Sequence, residues 1–283
     1  MKRIKRLFIN FVAVVMLVAA CFSLTACKDV RTMELSIEVY DYSENTSKTV
    51  TMTVDLYAHL APETVNAIEK YVKDGYYDGA IFYQLDGYTS QIMVGDLKEK
   101  DGEIVQNAIK PELPGEFTHG GTVGSNLVSK KGSIGLWRDW FAYDGTYKSN
   151  NGLDSGRATW FIPTAATEMT DYTDWFCVFA QIDLENADNL DALNLIANAY
   201  NSTADIHEYE VYYTGEYDAQ KKDDNFGLTF NCDLEVLFDA EEIEGLFEAE
   251  GAEYASYNHH TIKVAKTADD DTFAAKIISA KMK

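Results

Sequence analysis

The sequence predicts a mainly β fold with few helices, and three observations support this class. Apolar and polar residues alternate over residues 33–39 and 49–56, which is the period of a half-buried strand. Clusters of turn-forming residues separate such segments. Helical spacing of apolar side chains is clearest in only two stretches, residues 62–73 and 188–200. With 46% hydrophobic residues among 283, the chain is long and apolar enough to bury a core.

The first half of the chain is predicted to run strand, strand, helix, strand, strand. The two alternating segments form a hairpin around the turn-rich residues 43–47. Pro62 opens the predicted helix, because the N–H that proline lacks would have no partner in the first helical turn. Residues 75–79 stop this helix, and strands are predicted over residues 80–85 and 92–96.

The middle of the chain alternates between a long polar segment and apolar strands. Residues 98–114 are polar and contain two prolines, which predicts a loop. A strand is then predicted over residues 157–164, ahead of the second helix.

The last third is rich in Tyr, Asp and Glu over residues 205–260. It predicts two more strands, at residues 209–213 and 228–238. A third helix is predicted over residues 240–253, and the final strand is formed either by residues 262–265 or by residues 273–280.

Three motifs in the first half follow one another in a characteristic order. They are Ala61-Pro62-Glu63-Thr64-Val65-Asn66, then Gly75-Tyr76-Tyr77-Asp78-Gly79 ahead of Phe82, then Gly95-Asp96. Together they resemble the opening half of a cyclophilin, the β-barrel peptidyl-prolyl isomerase family. The resemblance implies a closed, eight-stranded antiparallel β-barrel capped by two helices. The domain is expected over residues 33–283, with an α+β insertion at about residues 205–260 before the last strand.

The resemblance also implies an enzyme that turns the amide bond before a proline and breaks no bond. Rotation has a barrier of about 20 kcal/mol because amide resonance is lost. The enzyme needs only to bind the twisted amide better than the planar one. No cofactor and no metal are therefore expected. The pair His259-His260 does not argue for a metal site, because adjacent residues on a strand point to opposite faces.

Site residues follow from the same resemblance. In the family, an arginine two residues after a phenylalanine acts on the twisted amide, and here Gln84 stands two residues after Phe82. These two residues take the catalytic positions. A glutamine that the family places before Gly-Asp falls on either Met93 or Gln91. The remaining positions of the substrate pocket are Leu136, Thr159, Trp160, Phe161 and Phe176.

The change from arginine to Gln84 predicts weak catalysis. Glutamine donates hydrogen bonds without a charge, and a charge-assisted hydrogen bond is roughly twice as strong as a neutral one. By analogy with the loss of an oxyanion-hole donor, the missing charge lowers the rate by about 10²–10³. Arg138 and Arg157 are the two candidates for a replacement cation.

The N-terminus predicts export. Four basic residues within positions 2–6 precede an apolar run over residues 7–20, and small residues follow, as in a secretory signal. The ending Leu24-Thr25-Ala26-Cys27 resembles a bacterial lipobox. We therefore expect residues 1–26 to be a lipoprotein signal peptide, Cys27 to carry the lipid, and residues 27–32 to form a tether. The resemblance places the protein outside the cytoplasm, anchored to the cell membrane.

Charge and cysteine content limit the remaining partners. A formal net charge of −22 repels nucleic-acid phosphates, so binding to DNA or RNA is not expected. Cys177 and Cys232 are the two cysteines outside the export segment. They form either a disulfide or, as the apolar surroundings of Cys177 favour, no bond at all. A monomer is expected.

Two functions remain open, and both use the same barrel. The first is a lipid-anchored isomerase that binds proline-containing segments of exported proteins and assists their folding. The alternative is a non-catalytic module that binds such peptides or a surface partner. A third interpretation, a structural surface lipoprotein, places the function in residues 205–260.

Overall fold

A computed structural model describes most of the chain downstream of the predicted export segment. The described residues are 29–85, 88, 90–118, 127–138, 142–143, 146–147, 156–166, 170–201, 206–214, 233–237, 259–267 and 272–283. Cys27, Cys232 and the helix predicted over residues 240–253 lie outside them. Within the described residues, none of the helices combines the length and the apolar character that crossing a membrane requires.

Short strands and three helices make up the described structure. The strands are β1 (Val30–Asp41), β2 (Thr46–Tyr57), β3 (Ala80–Leu85), β4 (Gln91–Lys100), β5 (Glu103–Gln106), β6 (Ser133–Leu136), β7 (Ala142–Tyr143), β8 (Thr146–Tyr147), β9 (Trp160–Pro163), β10 (Val178–Ile182), β11 (Ile206–Thr214), β12 (Asp233–Leu237), β13 (His259–Ala265) and β14 (Ala275–Met282). The helices are α1 (Pro62–Lys73), α2 (Thr170–Trp175) and α3 (Ala187–Asn201).

Eight of the strands close into a barrel. Their order is β3-β14-β1-β2-β10-β6-β9-β4, and β4 pairs again with β3. Every neighbouring pair is antiparallel. Closure leaves these strands without an open edge, which removes the exposed backbone groups of a flat sheet. The predicted eight-stranded antiparallel barrel is therefore confirmed.

The barrel interior is filled by one face of each strand. In β1, Met33, Leu35, Ile37 and Val39 are fully buried while the residues between them are partly exposed. This alternation is the one that the sequence predicts. Burial of each such side chain contributes about 1.5–3 kcal/mol. Helices α1 and α3 pack their apolar faces into the same core, so two helices cap the barrel as predicted.

Helix α1 has the bounds that the sequence predicts, and a distant carboxylate caps its first turn. The backbone N–H groups of Glu63 and Thr64 donate to the carboxylate of Glu116, at 3.0 and 2.8 Å. A carboxylate at a helix N-terminus satisfies donors that have no partner inside the helix. At the other end Gly75 adopts a φ of 69°, which allows Tyr76 to donate its N–H back to Tyr71.

The predicted loop over residues 98–114 is wrong in its first part. Strand β4 continues to Lys100, and β5 pairs with it as a hairpin. Asp101 and Gly102 form the connection with φ values of 55° and 87°. Two positive φ values in a two-residue connection match the tight hairpin turn that Asp-Gly sequences favour. The polar composition of this segment hid a strand pair that the Asp-Gly signal predicts.

Three strands between α3 and β14 lie outside the barrel. Strand β13 pairs with the end of β3, through Ile262 opposite Leu85 and Lys263 opposite Gln84. Strands β11 and β12 continue the sheet beyond β13. Of the two segments considered for the final barrel strand, residues 273–280 supply it, because β14 pairs with both β1 and β3.

Candidate active site

A second apolar cluster lies on the outside of the barrel wall. In β4 and β9, Ile92, Val94, Trp160 and Ile162 belong to the interior core. The residues between them, Met93 and Phe161, sit opposite each other in the ladder and belong to a separate cluster. We call this set the outer cluster. Its buried members are Ile81, Tyr83, Met93, Leu97, Ile104, Phe161, Phe176, Ile262, Val264 and Phe273.

The absence of a side chain at Gly135 leaves room for the Phe161 ring to lie against the barrel wall. The partner of Phe161 in the β6–β9 ladder is Gly135. A Cβ atom on Gly135 would lie only 2.1 Å from the Cζ atom of Phe161. The phenyl ring therefore occupies the space that a side chain at Gly135 would fill. This contact fixes Phe161, which is 0% exposed, against the outside of the barrel.

Three further aromatic rings extend this site outward. The Phe176 ring meets Phe161 edge-on, with 5.2 Å between centroids and an interplanar angle of 75°. The indole of Trp137 stacks on Phe176 at 5.5 Å and 26°. Tyr88 meets the Trp137 indole edge-on at 5.6 Å and is 39% exposed. We call these four rings the aromatic stack. It runs from the barrel wall to the surface.

Gln91 is the unusual polar residue of this wall. It lies two residues before Met93 on β4, so strand alternation places both side chains on the outer face. Gln91 is 0% exposed, yet neither its Oε1 nor its Nε2 atom has a hydrogen-bond partner among the described residues. A buried polar group without a partner costs about 1–3 kcal/mol. Because the amide is 0% exposed, a ligand that supplies a donor and an acceptor can reach it only after the side chains that cover it have moved.

Of the two candidate replacement cations, Arg138 lies at the aromatic stack. Its Nε–H donates to the carbonyl of Trp175 at 2.6 Å. The guanidinium carbon lies 5.2 Å from the centre of the Phe176 ring, which is within the range of a cation–π contact. Arg157, in contrast, pairs with Glu112 at 3.0 Å. Arg138 therefore places a positive charge against the aromatic stack, whereas Arg157 is held by a carboxylate.

The predicted pocket does not form as one set. Phe82, Leu136 and Trp160 point into the barrel core, while Met93, Phe161 and Phe176 belong to the outer cluster. The reason is strand geometry, since neighbouring residues such as Trp160 and Phe161 must face opposite sides of the wall. Phe82, Leu136 and Trp160 therefore lie on the other side of the barrel wall from Phe161.

Strand alternation also separates Phe82 and Gln84, the residues at the family's catalytic positions, from the aromatic stack. Ile81 and Tyr83 belong to the outer cluster, and Phe82 between them faces the core. Alternation then places Gln84 on the face that carries Phe82. Gln84 is buried, and its backbone pairs with Lys263 of β13. Residue 84 thus lies between the barrel and the three added strands, on the side opposite to Phe161.

Thr159 and Trp137 are connected through the backbone. The N–H of Trp137 donates to the carbonyl of Thr159 at 2.8 Å, so the Thr159 backbone positions the stack. Sequence reasoning selected Leu136 for the pocket and missed Trp137 and Tyr88. The available signal was again alternation, because an inward Leu136 requires an outward Trp137.

Cys177 follows Phe176 in sequence and faces the inside of the barrel. It is a free thiol in the barrel core, where burial raises its pKa to about 12. The Thr64 hydroxyl lies 3.4 Å from its sulfur. Within the described residues, no group of His, Cys, Asp or Glu side chains has the arrangement of a metal site.

The architecture defines a class of protein, namely a closed antiparallel β-barrel with a candidate site on the outside of its wall. Comparison with known proteins identifies the family. The sequence model described as cyclophilin type peptidyl-prolyl cis-trans isomerase/CLD matches residues 42–211, which is more than half of the chain. The chain therefore belongs to the cyclophilin-type peptidyl-prolyl cis-trans isomerases, and the family's enzymatic activity is the isomerisation of prolyl peptide bonds.

Other comparisons add little to this assignment. A crystal structure of a cyclophilin type peptidyl-prolyl cis-trans isomerase from Cryptosporidium parvum is similar over 74% of this chain and 99% of that chain. The sequence identity is 11% and the TM-score is 0.39. No curated protein matches the chain.

Proposed function

We propose that this protein is a slow prolyl isomerase that acts outside the cytoplasm on exported proteins. The observation that carries the proposal is the unpaired amide of Gln91 beside the aromatic stack. The stack offers apolar ring faces for a prolyl ring. The amide offers a donor and an acceptor for the adjoining peptide. A prolyl isomerase must hold both the prolyl ring and the peptide groups beside it, and these two features serve those two purposes.

The chemistry assigned to this site is binding of the twisted amide. The Gln91 Nε2 atom donates to the carbonyl that flanks the proline, and Oε1 accepts from a peptide N–H. A neutral donor stabilises the twisted state less than a guanidinium would. Arg138 lies against the Phe176 ring, with its Nε–H donated to Trp175, and contributes a positive charge to the site. Isomerisation by this protein is therefore expected to be slower than by family members that carry the arginine.

The experiment is exchange NMR on a tetrapeptide, Ala-Ala-Pro-Phe, whose cis and trans forms interconvert. We expect the wild-type protein to accelerate exchange measurably. Gln91→Leu removes both polar functions at nearly constant volume and is expected to abolish the acceleration. Gln181→Leu is the matched control, because Gln181 is a half-buried glutamine on β10, on another part of the barrel wall. Equal rates for both variants and wild type would reject the role of Gln91.

The alternative, a non-catalytic binding module, is favoured by one specific observation. Residue 84 carries no charge and lies on the face that carries Phe82, so the catalytic position of the family is not supplied from β3. Under this alternative the tetrapeptide binds to wild type, and Gln91→Leu weakens that binding, but exchange stays at the uncatalysed rate. The same NMR titration therefore distinguishes the two functions.

The proposed location rests on the sequence of the N-terminus. Residues 1–26 have the composition of an export signal, and Cys27 follows a lipobox-like ending. Lipid on Cys27 would hold an acidic domain outside the cytoplasm. Mass spectrometry of the membrane fraction tests this, because a diacylglyceryl group adds a defined mass to the peptide that begins at Cys27. Cys27→Ser should release the protein from membranes, and retention of that variant would reject the lipid anchor.

A further inference from the structure

The outermost rings of the aromatic stack occupy the space that a prolyl ring needs. Trp137 lies flat on Phe176, with an interplanar angle of 26°. It also meets Phe161 edge-on, at 6.3 Å and 82°. A saturated ring that enters an aromatic site makes the same kind of face contact. Where the proposed function holds, the indole and the prolyl ring therefore compete for the face of Phe176.

The attachment of Trp137 allows side-chain movement without backbone movement. Its N–H is fixed to Thr159 of the neighbouring segment, so the backbone belongs to the wall. The indole is half-buried, and the ring that covers it, Tyr88, is 39% exposed. Rotation about the side-chain bonds moves the indole toward solvent and leaves Phe161 and Phe176 in place. Exposed side chains make such rotations within nanoseconds.

Tyr88 links this movement to the unpaired amide. The backbone N–H of Gln91 donates to the carbonyl of Tyr88 at 3.3 Å. Tyr88, which precedes β4, is therefore tied to the first residue of that strand. A ligand that displaces the rings of Trp137 and Tyr88 reaches the same part of the wall that carries the amide.

We propose that Trp137 is a specificity-determining residue that occupies the prolyl site of its own protein and must leave it before a peptide binds. The inference rests on the proposed function and deepens it. Binding is then weakened by the fraction of molecules in which the indole has left the site. Only peptides whose contacts with the site exceed those of the indole bind well, so polar segments are excluded.

The test compares peptide affinity in full-length variants, with Ala-Ala-Pro-Phe as the probe. Trp137→Ala removes the two aromatic pairs that the indole makes with Phe161 and Phe176, together with its pair with Tyr88, and we expect it to strengthen binding by about tenfold. We expect KM to fall by the same factor while kcat is unchanged, because the indole competes equally with the planar and the twisted peptide. Trp137→Phe keeps a smaller stacking ring and should change affinity less. Tyr57→Ala is the control, since Tyr57 lies on β2 and contacts the His59 ring away from this site.

A second measurement follows the indole directly and needs no destabilising variant. Fluorotryptophan is incorporated into wild type, and the Trp137 resonance is assigned by its loss in Trp137→Phe. We expect this fluorine signal to shift toward that of an exposed indole as peptide is added. A bound peptide with an unmoved Trp137 signal would overturn the inference, and so would equal or weaker binding by Trp137→Ala. If no variant binds peptide at all, the proposed function fails as well, so the two failures are distinguishable.

Discussion

Trp160 and Phe161 are neighbours in sequence, but they serve opposite sides of the barrel wall. Trp160 faces inward, where its ring lies 4.2 Å from that of Tyr77. The Tyr77 hydroxyl donates to the carbonyl of Ala158 at 3.0 Å, which fixes this pair from within. Phe161 faces outward, against rings that become progressively more exposed. The inner face of this strand therefore packs in the barrel core, while its outer face carries the proposed binding site.

The strongest test of this comparison uses the two tryptophans. Trp160→Ala leaves a large cavity in the core, so we expect the free energy of unfolding to fall by about 3–5 kcal/mol. Trp137→Ala removes an outer, half-buried ring and is expected to cost less than about 1.5 kcal/mol. Urea denaturation of both variants gives the two values. Equal losses would contradict the division between an inner structural face and an outer binding face.

A smaller effect is expected where the two faces meet, at Gly135. An added methyl group at this position would collide with the Phe161 ring, which lies at 2.1 Å from the ideal Cβ position. We expect Gly135→Ala to destabilise the protein by about 1–3 kcal/mol and to weaken peptide binding. Combining Gly135→Ala with Phe161→Leu should recover part of the lost stability, because the two sites share one space. Additive losses in urea denaturation would show that the ring is not the cause.

Gln91 lies on the outer face, and its replacement is expected to stabilise the protein rather than destabilise it. Because its amide is buried and has no hydrogen-bond partner in the part of the chain that the structure describes, Gln91→Leu should raise the free energy of unfolding by about 1 kcal/mol. The same variant is expected to lose peptide binding, so stability and function change in opposite senses. Urea denaturation and peptide titration on one protein sample measure both. A destabilised Gln91→Leu would mean that the amide stabilises the free protein.

The smallest expected effect concerns access to the inner face. Burial raises the pKa of Cys177 to about 12, and the thiolate is the reactive form. At pH 8 only about one molecule in 10⁴ carries that thiolate, so iodoacetamide should leave Cys177 unmodified. Reactivity should rise only as the pH approaches 12 or when denaturant opens the barrel. Mass spectrometry of the Cys177 peptide tests this, and rapid labelling of the native protein at pH 8 would contradict a closed core.

The barrel could be predicted largely because its signals are local. Alternation located β1 and β2, helical spacing and Pro62 located α1, and the cyclophilin resemblance supplied the closure that no local pattern contains. The hairpin at Asp101 and Gly102 was missed because polar composition was weighted above turn chemistry. The two candidates for the last barrel strand stayed equivalent, since sequence alone does not say which segment reaches β1.

The site was less predictable, since family positions fix the residue type better than the direction of its side chain. Trp160 and Phe161 were assigned to one pocket, although one step along a strand reverses the face. Whether the Gln91 amide finds a hydrogen-bond partner depends on every group that packs around it, so no sequence motif predicts this property. The exclusion of Leu136 and the inclusion of Trp137 could have followed from alternation alone.

Strand β14 lies between β1 and β3 in the barrel, so β1 completes its strand pairing only when β14 is present. Met33 pairs with Met282, and the Lys283 N–H donates to the carbonyl of Thr32. During synthesis, β1 therefore keeps an unpaired edge until β14 has emerged. Pairing of such distant segments slows folding and prolongs exposure to aggregation. A protein proposed to assist the folding of others is itself expected to be a slow folder.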